Sequence, residues 1–216
     1  MHIAAEGRSG TCVKLSRNDK ENRITVKMHL LSVLREGTAQ LHTRLDRTIS
    51  QNPVTTRAGY ERFLNLQAAV LPGAERWLAG TDDFRSLPDF SNRLRTGALL
   101  RDLQGLGHAV PGEQDLPYLN AGCSVAGICY VLEGARLGAA QMHALLDRAA
   151  PDLPAEFLAH GRGCGLWKSF LAWLAAHDNS TENCERACLA AQQLFGTYLQ
   201  VLERENSDEV DLVGQG

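Results

Sequence analysis

The sequence predicts an all-α fold built as one domain. Apolar residues recur at three-, four- and seven-residue spacings through most of the chain, the period of an amphipathic helix. No segment alternates apolar and polar residues for long enough to make a strand; Ile24 and Val26 do so only briefly. Glycine, proline, asparagine and serine gather between the periodic stretches, where they punctuate helices.

Residues 1–27 are polar and weakly periodic, and SRNDKENR reads as a solvated charge run. They are expected to form a flexible N-terminal extension, with Met28 opening the better-patterned region. From His29 to Thr48 a helix is marked by Leu30, Leu31, Leu34, Leu41 and Leu45. Its neighbouring stripe carries Arg35, Thr38, His42, Asp46 and Ile49, and Asn52-Pro53 ends it. A second helix is expected over Thr56–Leu78, with Tyr60, Phe63, Leu64 and Leu71 inward and a kink or break at Pro72-Gly73.

A third helix is expected from about Pro88 to Leu106, followed by a loop, GHAVPGEQDLP. The long apolar helix Gly122–Leu146 comes next, and Pro151–Gly165 is a connection with one short turn, PAEFL. Leu166–His177 reads as a helix with Trp167, Phe170, Leu171 and Leu174 inward. Asn179-Ser180-Thr181 supplies cap candidates for a last helix, about Thr181–Glu205. Residues 205–216 are acidic and expected to be disordered, which leaves 28–204 as the folded domain.

A chain of 216 residues with 44% hydrophobic and 22% charged residues can bury a substantial single core. A formal net charge of −3 gives no electrostatic reason to expect nucleic acid or an anionic membrane surface. No apolar run reaches the roughly 18 residues of a membrane span, and the N-terminus shows no apolar signal region. The cysteines Cys12, Cys123, Cys129, Cys164, Cys184 and Cys188 form no CxxC and do not suggest a disulfide framework. Cys184 and Cys188 share a helical face as small semi-buried residues, and the expected compartment is the reducing cytoplasm.

Two features could carry chemistry. The long apolar helix holds glycine at Gly134 and Gly138, each costing a helix about 1 kcal/mol relative to alanine. Something must approach that backbone closely, either another helix or a flat ligand. His42 stands within an amphipathic helix, one turn before Asp46 and two turns after Arg35. A ligating histidine wants its second ring nitrogen held by an acceptor, which Asp46 can supply. The simpler alternatives are tight helix packing for the glycines and a surface role for the histidine.

The two features together bear a resemblance. The stretch LREGTAQLHTRLD resembles the first helix of heme oxygenases, and YVLEGARLGAAQ resembles their distal helix, most closely in the bacterial branch associated with bacteriophytochromes. YERFLNLQAAV and LWKSFLAWL also match, so the resemblance covers about Leu30 to Leu202 in order. It implies an all-α heme-oxygenase-like bundle in which heme lies between two helices. His42 would be the metal ligand, oriented by Asp46, and the distal helix would kink at Gly134 and Gly138 so that its backbone covers the ring. Arg35 and Lys168 fall at basic positions that pair with heme propionates, while Ala39 and Ala172 replace two others. Ala135 stands where animal members carry an aspartate that orders water, so a water chain on the backbone or on Arg136 would deliver protons; a surface arginine is the simpler reading of Arg136. Tyr198 would reach the pocket from the last helix.

The implied activity is cleavage of heme to biliverdin, carbon monoxide and ferrous iron, with heme as substrate and cofactor and O2 as oxidant. The chain shows no nucleotide or flavin motif, so electrons would come from an external ferredoxin or flavoprotein reductase. A bacteriophytochrome or other biliverdin acceptor is the partner the branch implies. The competing readings are a heme-binding or trafficking protein with little turnover, motivated by Ala135 and the thinned basic positions, and a helical interaction module. A carboxylate metal oxidase would need paired E-x-x-H motifs on facing helices, which the sequence lacks.

Overall fold

The structure, a computed structural model, describes residues 17–177 and 179–213, with side chains described between residues 30 and 205. The described residues contain helices and no strand. In chain order these are α1 (Arg17–Ser50), α2 (Arg57–Ala79), α3 (Asp82–Arg85), a 3-10 turn (Phe90–Arg93), α4 (Thr96–Gly105), α5 (Val125–Ala149), α6 (Glu156–Ala159), α7 (Leu166–Leu174) and α8 (Thr181–Val213).

α8 is the spine of the bundle, packing on α1, α5 and α2. Its buried face runs Ala187, Ala190, Ala191, Leu194, Phe195, Tyr198 and Leu202, small residues first and large ones later. The small end admits α5 closely. A Cβ at Gly127 would collide with the Ala187 carbonyl and lie 3.0 Å from the Ala190 Cβ, so glycine at this position serves helix packing. α1 and α5 both lean on α8, but neither packs extensively on the other, and a space opens between them.

Side-chain caps open several helices, and among the cap candidates expected at 179–181 it is Ser180 that serves. The side chains of Thr56, Thr81 and Ser124 accept from the backbone N–H of Gly59, Phe84 and Gly127, and Ser180 accepts from Asn183 at 3.3 Å, each satisfying a first-turn donor.

The structure corrects other expectations. α2 runs unbroken through Pro72, because Leu71 and Ala74 are fully buried around it and packing outweighs a proline cost of about 3 kcal/mol. The expected third helix is divided. Leu94 is extended (φ −74°, ψ 119°), and α4 begins only at Thr96. The cause is Glu75, a buried carboxylate on α2 that accepts from Arg95 N at 2.9 Å, Thr96 N at 2.9 Å and Thr96 Oγ1 at 2.6 Å. This carboxylate takes the place of a local cap and starts the helix there.

The glycine helix starts at Val125, after Gly122, which sits in a turn with its N–H on the Asn120 side chain. The boundaries expected at residues 27/28 and 204/205 are not helix ends: α1 begins at Arg17 and α8 continues to Val213. Neither added stretch contains glycine or proline, so nothing local stops the helix. The expectations for residues 1–16 and 214–216 lie outside the described residues. No helix among the described residues is long and apolar enough to cross a membrane.

Candidate functional site

The space between α1 and α5 is a cleft of about 440 Å³. α1 contributes Arg35, His42, Leu45, Asp46 and Ile49; α5 contributes a run from Tyr130 to Met142 that includes Gly134, Ala135 and Gly138. Phe195 and Tyr198 of α8 and Phe63 and Gln67 of α2 also line it, with Arg95, Phe157 and Trp167. The spacings 35, 42, 46 and 49 put the α1 residues on one helical face, which is why the sequence grouped them.

His42 is held by its neighbours. Its Nδ1 lies 3.0 Å from Asp46 Oδ2, and its ring meets the Phe195 ring edge-on at 5.7 Å between centroids. With Nδ1–H donated to the carboxylate, Nε2 is the free lone pair, the arrangement that presents a neutral imidazole to a metal. Both partners are more than half exposed, so as an ion pair the contact contributes little to stability. Its effect is to orient the ring.

On the α5 side the glycines separate into two kinds. A Cβ on Gly134 would find only the Trp167 ring, at 4.0 Å, and one on Gly138 would meet nothing within 4 Å. Apart from that one ring of α7, nothing among the described residues lies within 4 Å of a Cβ on this pair. They leave a stretch of bare backbone facing the cleft, at a helix-propensity cost of about 1 kcal/mol each that packing does not explain. α5 stays helical through both positions.

Arg35 is exposed at the cleft and makes no ion pair among the described residues. Lys168 and Arg136 do not line the cleft. Lys168 is exposed on α7, one residue after the cleft residue Trp167. Arg136, rather than facing the cleft as a relay group would, is almost buried and spent on Glu133 at 3.1 Å, on His160 Nδ1 at 3.2 Å and on the Arg93 carbonyl.

The sequence missed two polar groups of the cleft. Arg95 is buried, its guanidinium lying 4.7 Å above the Phe157 ring, with one long contact from Nη2 to the Leu132 carbonyl at 3.4 Å. Its Nε has no hydrogen-bond partner among the described residues, and burial, with Arg136 nearby, lowers the guanidinium to about 10. Gln67 is also buried, and its Oε1 accepts from the Tyr198 hydroxyl at 3.4 Å. Burial raises the Tyr198 phenol well above its ordinary value, so it stays a donor. Neither Arg95 nor Gln67 carries a signal in one sequence: Arg95 looks like one more arginine in RLRTG, and Gln67 like a helix-surface residue.

The cleft therefore offers a held imidazole, a glycine-floored wall, apolar and aromatic sides, an exposed cation at the edge and buried donors within. These features fit a flat, largely apolar ligand with a metal centre and anionic substituents.

No family model matches the chain. Among curated proteins it is similar to heme oxygenase PigA of Pseudomonas aeruginosa, 32% identical over 178 residues, 77% of this chain and 88% of that protein. Its fold is similar to a crystal structure of the NO- and CO-bound heme oxygenase from Neisseria meningitidis, with a TM-score of 0.72 and 23% identity, covering 82% of this chain and 92% of the other.

Proposed function

The chain belongs to the heme oxygenase family, and from that premise we infer that the cleft between α1 and α5 is where this heme-degrading enzyme holds its substrate. The observation that carries the inference is the pairing of two features across one cleft: His42 with its Nδ1 on Asp46, and Gly134 and Gly138 opening onto space rather than onto a helix. Heme, when bound, supplies the iron and ring on which O2 and electrons act to give biliverdin, carbon monoxide and ferrous iron.

The chain's own contribution is binding, orientation and exclusion. His42 would hold the heme iron through Nε2, and Asp46, on Nδ1, keeps the ring aimed. The backbone at Gly134, Ala135 and Gly138, across the cleft from His42, would let a flat ring approach closely. Arg35 would take a heme propionate in the bidentate geometry that arginine allows, and Lys168, exposed on α7 beside the cleft residue Trp167, would be a second cation for one. Tyr198, Gln67 and the unsatisfied Nε of Arg95 supply polar groups able to hold water inside an otherwise apolar cavity, the role Arg136 cannot fill while engaged elsewhere.

Electrons would arrive from a separate ferredoxin or flavoprotein reductase, since the sequence holds no nucleotide or flavin motif, and the cysteine pattern supports a reaction in the cytoplasm; a biliverdin acceptor such as a bacteriophytochrome rests on the resemblance of the distal-helix stretch alone. The direct test is titration of the protein with heme. A sharp 1:1 Soret shift is expected, and His42→Ala should lose axial ligation and regain it with added imidazole. No Soret shift, or one unchanged in His42→Ala, contradicts the site.

A further inference from the structure

Behind the glycine wall, on the side of α5 turned away from the cleft, lies a buried ionic cluster that the reaction itself does not use. Glu133 precedes Gly134, and its Oε2 lies 2.7 Å from Arg93 Nη1 and 3.1 Å from Arg136 Nε. The Arg93 and Glu133 side chains are 1% and 4% exposed, so this is a desolvated pair with a second guanidinium attached. Arg93 reaches further: Nε donates to the Pro88 carbonyl at 3.0 Å, Nη1 and Nη2 to the Leu166 carbonyl at 3.1 Å, and Nη2 to Ser169 Oγ at 2.7 Å. Arg136 adds the Arg93 carbonyl and His160 Nδ1. Two guanidinium groups, from the 3-10 turn and from α5, thus grip one carboxylate, and through them the residue after α6 and the start of α7 join the cluster.

The same extended segment sends Arg95, two residues on, to the cleft side of α5, where Nη2 meets the Leu132 carbonyl at 3.4 Å. Arg93 and Arg95 therefore straddle the 132–136 turn of α5. The segment is itself anchored, because Glu75 accepts from the backbone of Arg95 and Thr96.

The arrangement answers a mechanical problem. A helix whose front face is bare glycine backbone over an open cleft has no packing there to fix its position. The N-terminal half of α5 is fixed by Gly127 against α8; further on, where Gly134 and Gly138 face open space, the buried contacts lie on the opposite side of the helix or beyond it, at Ala139 and Leu146. We propose that Glu133, gripped by Arg93 and Arg136, is a positioning residue that sets the place of the glycine wall over the cleft and so the outcome of ring cleavage. A buried pair of this kind adds little net stability against an apolar replacement, but it is costly to break and fixes geometry. The turnover part of the proposal rests on the heme oxygenase reading; the mechanical part does not.

The test uses the full chain with Glu133→Gln and, as a variant that keeps the charge but loses the guanidinium fork, Arg136→Lys. Amide hydrogen exchange of the heme-free protein reads the grip directly. Exchange across residues 134–142 is expected to rise about tenfold or more in Glu133→Gln, with residues 125–130 unchanged and Arg136→Lys intermediate. In the heme complex, affinity is expected within about threefold of wild type, with the His42-dependent spectrum retained. Biliverdin yield per heme should fall about tenfold, and more than one isomer should appear. Exchange and isomer pattern identical to wild type in a folded Glu133→Gln overturn the proposal. Should Glu133→Gln fail to fold, Arg136→Lys decides on the same two readouts. A wild-type chain that forms no biliverdin overturns the family chemistry and the turnover part, while the exchange result still decides the grip.

Discussion

At the scale of single residues, the glycines of α5 give the sharpest contrast. Gly127 and Gly138 share a helix, but an added methyl collides with α8 at the first and meets open space at the second. Gly127→Ala is expected to cost about 2 kcal/mol through overpacking. Gly138→Ala should gain roughly 1 kcal/mol in the heme-free protein through helix propensity while weakening heme binding or altering the product. Denaturant unfolding of both variants with parallel heme titration checks this; equal effects on stability would return both glycines to the packing reading. Arg35→Ala should weaken heme binding about tenfold through loss of one charge-assisted propionate contact, with the spectrum of the bound form unchanged.

The cleft was legible in part because its α1 residues obey helical spacing and its α5 residues break helix propensity, both of which are visible in one dimension. Arg95 and Gln67 were not legible, since what distinguishes them is burial and an unsatisfied nitrogen, which exist only after folding. Arg136 was misplaced for a similar reason. Adjacent positions on a helix point about 100° apart, and Ala135 faces the cleft while Arg136 faces the Glu133 cluster.

At the scale of elements, the fold depends on buried carboxylates that act as helix caps at a distance. Glu75 starts α4, and Asp102 does the same for α6, accepting from Glu156 N at 3.0 Å and Phe157 N at 2.9 Å while the Tyr60 hydroxyl donates to it at 3.1 Å. Glu75→Ala leaves buried donors unmatched and is expected to destabilise by about 3 kcal/mol; an unfolding midpoint equal to wild type would refute the capping role. These tertiary caps explain where sequence reasoning on the elements failed. Periodicity located the long helices well, because each buries a regular face. It merged the 3-10 turn with α4 because the acceptor that divides them lies 20 residues away on α2, and it broke α2 at Pro72 because local cost was weighed without the core around it. At the outer ends of α1 and α8, apolar pattern fades before the helical backbone does.

At the scale of the whole molecule, the ionic cluster behind α5 couples to pH through His160. Burial first, and then Arg136, Arg95 and Arg101, hold its imidazole below the ordinary 6.5, so the folded state keeps it neutral and its Nδ1 accepts from Arg136. The unfolded chain binds the proton more readily. Stability is therefore whole above about 6.5 and declines as pH falls from there through the lowered folded value. His160→Asn keeps an acceptor without titrating; the loss in unfolding free energy between pH 7.5 and 5.5 should shrink in this variant, and an unchanged loss would refute the linkage.

The central claim concerns chemistry in one cleft, and product analysis tests it most directly. The heme complex, supplied with O2 and electrons from ascorbate or a ferredoxin reductase system, is followed by absorbance and the products are separated by chromatography. Loss of the Soret band with stoichiometric biliverdin and released iron is expected, and loss of that product in His42→Ala. A Soret band that persists through the reaction with no bilin formed would contradict it.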